Sequence, residues 1–284
     1  MKSILIAVFS ALGLCLAQNA AQAQEYKEHI TKQFQANKGT VVVYNIWGSI
    51  KVEGYNGDKV LIEIDETIKG DTKEDVDQGK KEFKLGFDQK ADSVIAYTAE
   101  PYDTRPRNRW DNDDRHHRVH YIVKLDYTLK IPFNMNLAVS TVNDGHITVK
   151  DVYGSLKVNN VNGSLEIINA KGTTVARTVN GPVTVNYLLV PPGESSYHTI
   201  NGQMNITYPA NLSADLTFKS MNGQFFTDFP DAQVMPSKVV KTESKSGAGT
   251  TYKLSSNSDV RIGSGGKLFK FETLNGNIYI KKQQ

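Results

Sequence analysis

Glycine falls at every ninth position between Asn143 and Tyr187, as Gly145, Gly154, Gly163, Gly172 and Gly181. The five units that begin at these glycines read GHITVKDVY, GSLKVNNVN, GSLEIINAK, GTTVARTVN and GPVTVNYLL. Their third, fifth and eighth positions are mostly apolar, and their second, fourth and sixth mostly polar. Alternation at period 2 in Val-, Ile- and Leu-rich segments describes a short strand with one side in a core. One such unit cannot bury its own apolar side, whereas stacked units share a continuous core.

The residue before each glycine sorts the units into two kinds. Asn162 and Asn180 precede Gly163 and Gly181, whereas Tyr153 and Lys171 precede Gly154 and Gly172, so the repeat is two units, or 18 residues. The same signature returns as Thr199-Ile200-Asn201-Gly202, Ser220-Met221-Asn222-Gly223 and Thr273-Leu274-Asn275-Gly276. The steps from Gly181 to Gly202 to Gly223 are 21 residues each, which predicts a coil lengthened by three residues.

The expected fold is all-β, a parallel β-helix-like β-solenoid with about 18–21 residues per coil and one short helix in the N-terminal half. Asn162, Asn180, Asn201 and Asn222 are expected in one file along the axis as an amide ladder. Asn-Gly suits such a corner because both residues tolerate positive φ. The rival is a meander of antiparallel hairpins, for which Asn-Gly is also a strong signal. Hairpins do not require one coil length to recur, and here it does.

The [Thr/Ser]-[Val/Ile/Met/Leu]-Asn-Gly signature, preceded by Tyr127-Thr128-Leu129-Lys130-Ile131-Pro132, resembles the adhesin families of exported bacterial proteins known as DUF4097 and DUF2807. The resemblance runs from about Gly39 to Ile280. It implies a parallel β-helix-like fold and an adhesin-type role, and it carries no catalytic residues.

Residues 1–23 read as a secretory signal, with Lys2 at its start, an apolar run from Ile4 to Ala17 and Ala21-Gln22-Ala23 as the cleavage site. Residues 24–284 are then expected as one domain, with a charged loop insertion at 101–118. Cys15, the only cysteine, lies within the signal, so no disulfide is expected in the mature chain. Leu14 before it does not suit bacterial lipid attachment. No later stretch reaches the roughly 20 apolar residues a membrane span needs. Without Lys2 the chain carries 32 basic residues (33 less one) against 30 acidic, a balance that gives no argument for nucleic acid.

Ahead of the main repeat, Gly48 and Gly57 are again nine apart, with strand-like sequence at Thr40–Tyr44 and onward. Asp71 to Glu82 reads as a helix that Thr72 and Asp75 cap and that covers a side or end of the stack. Phe83–Phe87, Ser93–Thr98 and Val119–Ile131 read as strands, and Pro230–Thr250 as a long excursion.

Candidate chemistry is sparse. Asp111, Asp113, Asp114, His116, His117 and His120 are potential ligands, but an EF-hand would need glycine where His116 stands, and a solvated charged loop is the better reading. The nine-residue units share no aspartate, which excludes a calcium-binding roll. Outward positions along the stack read Thr148, Glu166, Thr184 and Lys157, Val175, then Lys150, Ile168, Asn186 and Asn159, Arg177, with no ladder of carboxylates. Gly263-Ser264-Gly265-Gly266-Lys267 lacks the spacing of a phosphate loop. His146 and His198 have no nucleophile nearby in sequence.

No catalytic residue, cofactor or metal is therefore expected. The chain reads as a non-enzymatic surface or envelope binding scaffold, with a surface glycan or envelope protein as partner. Arg105, Arg107, Arg109 and Trp110 form its candidate binding loop. The alternatives are a carbohydrate-active enzyme with loop carboxylates and a purely structural periplasmic component.

Overall fold

Apolar residues alternate along each unit and the chain turns at each glycine, so successive units fall by turns into two sheets. The computed structural model describes residues 24–36, 38–106, 119–236, 239–246, 249–256 and 258–284. It has a ten-stranded sheet I and an eleven-stranded sheet II, sharing one core that runs from Val41 to Ile280.

Eight rungs, each one strand of sheet II followed by one of sheet I, make the stack. In spatial order they are Ser93–Glu100 with Tyr121–Pro132 (rung 1), Thr40–Tyr44 with Ile50–Tyr55 (rung 2) and Asn136–Ser140 with Ile147–Lys150 (rung 3). Leu156–Asn159 with Leu165–Ala170 (rung 4), Thr174–Arg177 with Val183–Tyr187 (rung 5) and Ser195–His198 with Met204–Tyr208 (rung 6) follow. Lys267–Asn275 with Ile278–Lys282 (rung 7) and Ala214–Asn222 with Phe225–Thr227 (rung 8) end it. Neighbouring rungs pair parallel in both sheets.

The chain does not visit the rungs in spatial order. It enters at rung 2, steps back to rung 1, runs from rung 3 to rung 6, passes to rung 8 and returns to fill rung 7. The expected step from Gly202 to Gly223 is thereby corrected. Strand Lys267–Asn275 lies between Ser195–His198 and Ala214–Asn222, so Asn275 separates Asn201 from Asn222. The equal spacing of 21 residues joins rungs that do not touch. Only the step from Gly181 to Gly202 is a true lengthened coil, and its extra residues lie in the Leu188–Glu194 corner.

Third and fifth positions face the core as alternation requires: Ile147, Val149, Leu156, Val158, Leu165, Ile167, Val183 and Val185 are all buried. The eighth positions divide. Val152 and Ala170 turn inward at the Tyr153/Lys171 corner, but Val161 and Val179 are half-buried and Leu188 is exposed. At the Asn-Gly corner the seventh position goes inside instead, as Asn160 and Thr178.

Those inward polar groups explain the signature. Three residues before Gly163, Gly181 and Gly202, and four before Gly145, a buried side chain donates to the glycine carbonyl one rung back: Thr141 to Gly48 at 2.9 Å, Asn160 to Gly145 at 3.0 Å, Thr178 to Gly163 at 2.9 Å and Thr199 to Gly181 at 3.0 Å. The donor answers a carbonyl that the turn leaves without a strand partner. Outside, the asparagine amides form the expected ladder in corrected order. Asn162 donates to Asn143 at 2.9 Å, Asn180 to Asn162 at 2.8 Å, Asn201 to Asn180 at 2.9 Å, Asn275 to Asn201 at 2.7 Å and Asn222 to Asn275 at 2.8 Å.

Glycine is needed for closeness rather than for positive φ. Asn162, Gly163, Asn180, Gly181, Asn201 and Gly202 lie outside the left-handed region, which Gly276 alone of the predicted corner glycines enters, at φ 151. A Cβ on Gly163, Gly181, Gly202, Gly276 or Gly223 would overlap the glycine carbonyl oxygen of the adjoining rung.

Antiparallel strands extend both sheets at one end of the stack and sheet II at the other. At the rung 1 end, Lys59–Gly70 and then Gln24–Gln35 extend sheet I, and Lys84–Lys90 extends sheet II. At the rung 8 end, Ser258–Ile262 and Gln233–Val234 extend sheet II, while Val239–Ser246 and Gly249–Ser256 pair as a separate hairpin. The helix Lys73–Glu82 begins at the predicted Thr72/Asp75 capping box and lays Val76 and Gly79 against Ile68 and Tyr121.

Candidate binding surfaces

The outward files predicted from the repeat are in register except between Ile168 and Asn186, where the pairing of rungs 4 and 5 shifts after Ile167. Glu166 stands between Thr148 and Thr184, Lys157 beside Val175, Ile168 beside Lys150, and Asn159 beside Arg177. Beyond rung 5 the same sheet II files continue through residues that a uniform period does not reach. Arg177 meets His198, His198 meets Glu272, and Glu272 meets Lys219, while Val175 is followed by Ser196 and Lys270.

This part of sheet II carries an open trough of ≈ 560 Å³, lined by Val175, Arg177, Glu194, Ser196, His198, Lys270 and Glu272 among others. The long Leu188–Glu194 corner supplies one wall, where Glu194 reaches Lys270 at 3.5 Å. On the other side Glu272 pairs with Lys219 and lies 3.6 Å from His198 Nδ1. The Lys219 hydrogen bond, opposed by partial burial, holds the Glu272 carboxyl below the usual carboxylate range. Arg177 is exposed and its guanidinium has no hydrogen-bond or ion-pair partner among the described residues.

Of the candidate loop, only Arg105 lies within the described residues; Arg107, Arg109 and Trp110 lie outside them. Arg105 is tied to its surroundings. Its guanidinium pairs with Asp103 at 2.7 Å and Asp88 at 2.9 Å and lies 3.9 Å from the centre of the Tyr97 ring. The signal at 1–23 and the Asp111 to His117 group also lie outside, leaving His120 alone of the potential ligands. Among the described residues no three His, Cys, Asp or Glu side chains gather to hold a metal, and no helix is long and apolar enough to cross a membrane.

Two further groups have chemical character. His146 Nδ1 lies 2.8 Å from Ser164 Oγ, one rung on, a contact visible in sequence only through the 18-residue period. Both are on the surface and no carboxylate hydrogen-bonds the ring, so the pair lacks the orienting acid of a triad. In the glycine-rich turn, the Gly263 and Gly266 amides donate to Asp231 at 2.9 Å and Asp215 at 3.2 Å, so carboxylates of the chain itself hold the donors a phosphate would need.

Glu66 is the unexpected ionisable group. It stands on the core side of strand Lys59–Gly70 between Ile64 and Ile68, only 6% exposed, opposite Glu28. Among the described residues no partner bonds its carboxyl, and nearby Tyr127 has a buried hydroxyl that is also unpartnered there. Burial, with a smaller contribution from Glu28, raises its pKa to about 7. The folded state therefore keeps its proton more tightly than the unfolded chain, so the stability tied to this group is present below about pH 4.5 and is lost as pH rises towards 7. Glu66→Gln should stabilise the protein by roughly 2 kcal/mol at neutral pH and by almost nothing at pH 4. Urea melts at the two pH values check this, and an equal effect at both contradicts it.

No protein-family model matches the chain, and none of the curated proteins does. Among solved structures, a "putative cell adhesion protein" from Clostridium sporogenes is similar at 11% identity and TM-score 0.38, over 91% of this chain and 100% of the other. A "putative adhesin" from Parabacteroides merdae is similar at 6% identity and TM-score 0.32, over 90% and 97%. A "Putative lipid binding protein" from Parabacteroides distasonis is similar at 8% identity and TM-score 0.31, over 90% and 97%.

Proposed function

We propose that this protein is an exported, non-enzymatic scaffold that binds a surface glycan along the outer side of sheet II. The observation that carries the reading is the trough at rungs 5 to 7, where Arg177, His198, Glu272 and Lys270 stand on register-locked strands opposite Glu194. A glycan presents hydroxyls and, in acidic polymers, carboxylates, and Arg177 and the charged pairs supply fixed donors and acceptors for both. Strands hold these groups in place before binding, so little ordering cost is added on association. Two carboxylates, Glu194 and Glu272, flank the trough and give the hydrolytic alternative a footing among the described residues. The Lys219 contact that keeps Glu272 ionised is unsuited to a proton donor.

Titration of the purified protein with a panel of neutral and acidic polysaccharides tests this. The double variant Arg177→Ala/His198→Ala should bind about tenfold more weakly, with an unchanged melting temperature. Unchanged affinity in that variant, or loss of binding in Trp110→Ala alone, would move the site elsewhere. Release of reducing ends by the wild type would refute the non-enzymatic reading.

A further inference from the structure

We propose that the cleft where the two sheets part at rung 1 binds the hydrocarbon chain of a single fatty acid. It is independent of the sheet II trough and lies at the other end of the stack. Strand Tyr121–Pro132 is twelve residues long where the rung 2 strand beside it has six, so its first half overhangs the stack. The overhang, the Ile46–Trp47 corner and the Pro101–Tyr102 segment enclose a cavity of ≈ 310 Å³.

The lining fixes the chemistry. Trp47, Phe83, Tyr102, Ile122, Val123 and Leu125 make most of the wall. Its two buried polar side chains are already engaged. The Asn45 amide donates to Leu125 O at 2.9 Å and Trp47 O at 3.0 Å, and the Tyr121 hydroxyl donates to Glu82 at 3.0 Å. Beyond the Thr98 and Tyr102 hydroxyls and the Trp47 indole N–H, the wall offers a polar ligand nothing for the water it would lose, whereas a hydrocarbon would lose nothing.

The mouth fixes the shape. Ile46, Tyr102 and Ile122 are 37%, 40% and 48% exposed, three of the nine large apolar side chains exposed among the described residues, so the opening itself is apolar. Ile46 also starts a straight outer file along the Asn-Gly corner, followed by Val142, Val161, Val179 and Ile200, none of them fully buried. A cavity opening onto a track one side chain wide suits an unbranched chain. It does not suit a ring system or the broad face of a folded partner.

The test uses Trp47 as reporter in a Trp110→Phe background. A terminally brominated fatty acid of medium chain length should quench its fluorescence with saturation in the micromolar range. Unbrominated fatty acid should reverse the quenching. Ile122→Glu, at an exposed position on the mouth, should weaken binding about tenfold or more without lowering the melting temperature. Absence of quenching, or quenching that survives Ile122→Glu, would overturn the proposal. So would binding to phospholipid vesicles without binding to the free fatty acid, which would mark a membrane-facing patch instead of a chain pocket.

Discussion

Gly181→Ala should lower stability by about 4 kcal/mol or more, whereas Gly193→Ala should change it by less than about 1 kcal/mol. Both residues sit at corners that adjoin rung 5, and helix or strand propensity does not separate them. The difference is what a methyl group meets. At Gly181 it runs into the Gly163 carbonyl oxygen, a backbone atom fixed by its own rung, and relief requires two rungs to part. At Gly193 the nearest atom is the Thr173 methyl at 3.2 Å, a side chain that can turn aside. Parallel strands lie about 4.8 Å apart, so any parting sacrifices hydrogen bonds on both sides of the corner. Chemical denaturation of the two variants measures the contrast. Similar small effects would mean that the rungs are not in the close contact described.

Removing residues 267–284 should destroy rungs 7 and 8 together and not merely fray an end. Chain termini usually tolerate truncation because few contacts hold them. Here the C-terminal segment is interior. Phe269 and Phe271 are fully buried and stack on Tyr208, Tyr197 and Phe218 at 5.0 to 5.4 Å between ring centres. Ile278 and Ile280 fill the core opposite Met204 and Ile206. Without this strand pair, rung 8 has no neighbour on the inner side and rung 6 exposes Tyr197 and Tyr208. The truncated protein should bind hydrophobic dyes and lose hydrogen-exchange protection at 195–227. Retention of wild-type protection there would contradict the intercalated order.

Much of this architecture was legible in the sequence because one period controls both burial and pairing. The nine-residue alternation placed Ile147, Val149, Leu156 and Val158 inside. The residue before glycine distinguished the amide corner from the Tyr153/Lys171 corner, where Lys171 lies over the Tyr153 ring at 3.5 Å. The capping box at Thr72 and Asp75 was visible because it is local. Order along the axis was not. A Gly202-to-Gly223 step and a Gly202-to-Gly276 step offer the same corner chemistry, and only the packing of Phe269 and Phe271 against rung 6 chooses between them. The inward Thr178 and Thr199 were read only as members of a signature, since a threonine beside a valine gives no sign of which one faces the core.

The sheet II trough was hidden for the same reason. Arg177 and His198 are 21 residues apart, and Glu272 reaches them from the end of the chain, so no fixed period brings the three together. Arg105 was read for its charge, and its neighbours Asp88 and Tyr97 could not be seen from the loop's own composition. The apolar cleft at rung 1 depends on one strand being longer than its neighbour, a property of termination that periodicity does not record.

Disulfide trapping tests the stacking order most directly, because Cys15 is the only cysteine in the sequence and can be replaced by serine. Asn201→Cys with Asn275→Cys places two thiols at adjacent positions of the corner file, within the reach of a disulfide. Asn201→Cys with Asn222→Cys leaves a rung between them. Mild oxidation should cross-link the first pair rapidly and the second not at all. Efficient cross-linking of 201 to 222, with none between 201 and 275, would show that the rungs follow chain order and would contradict the account.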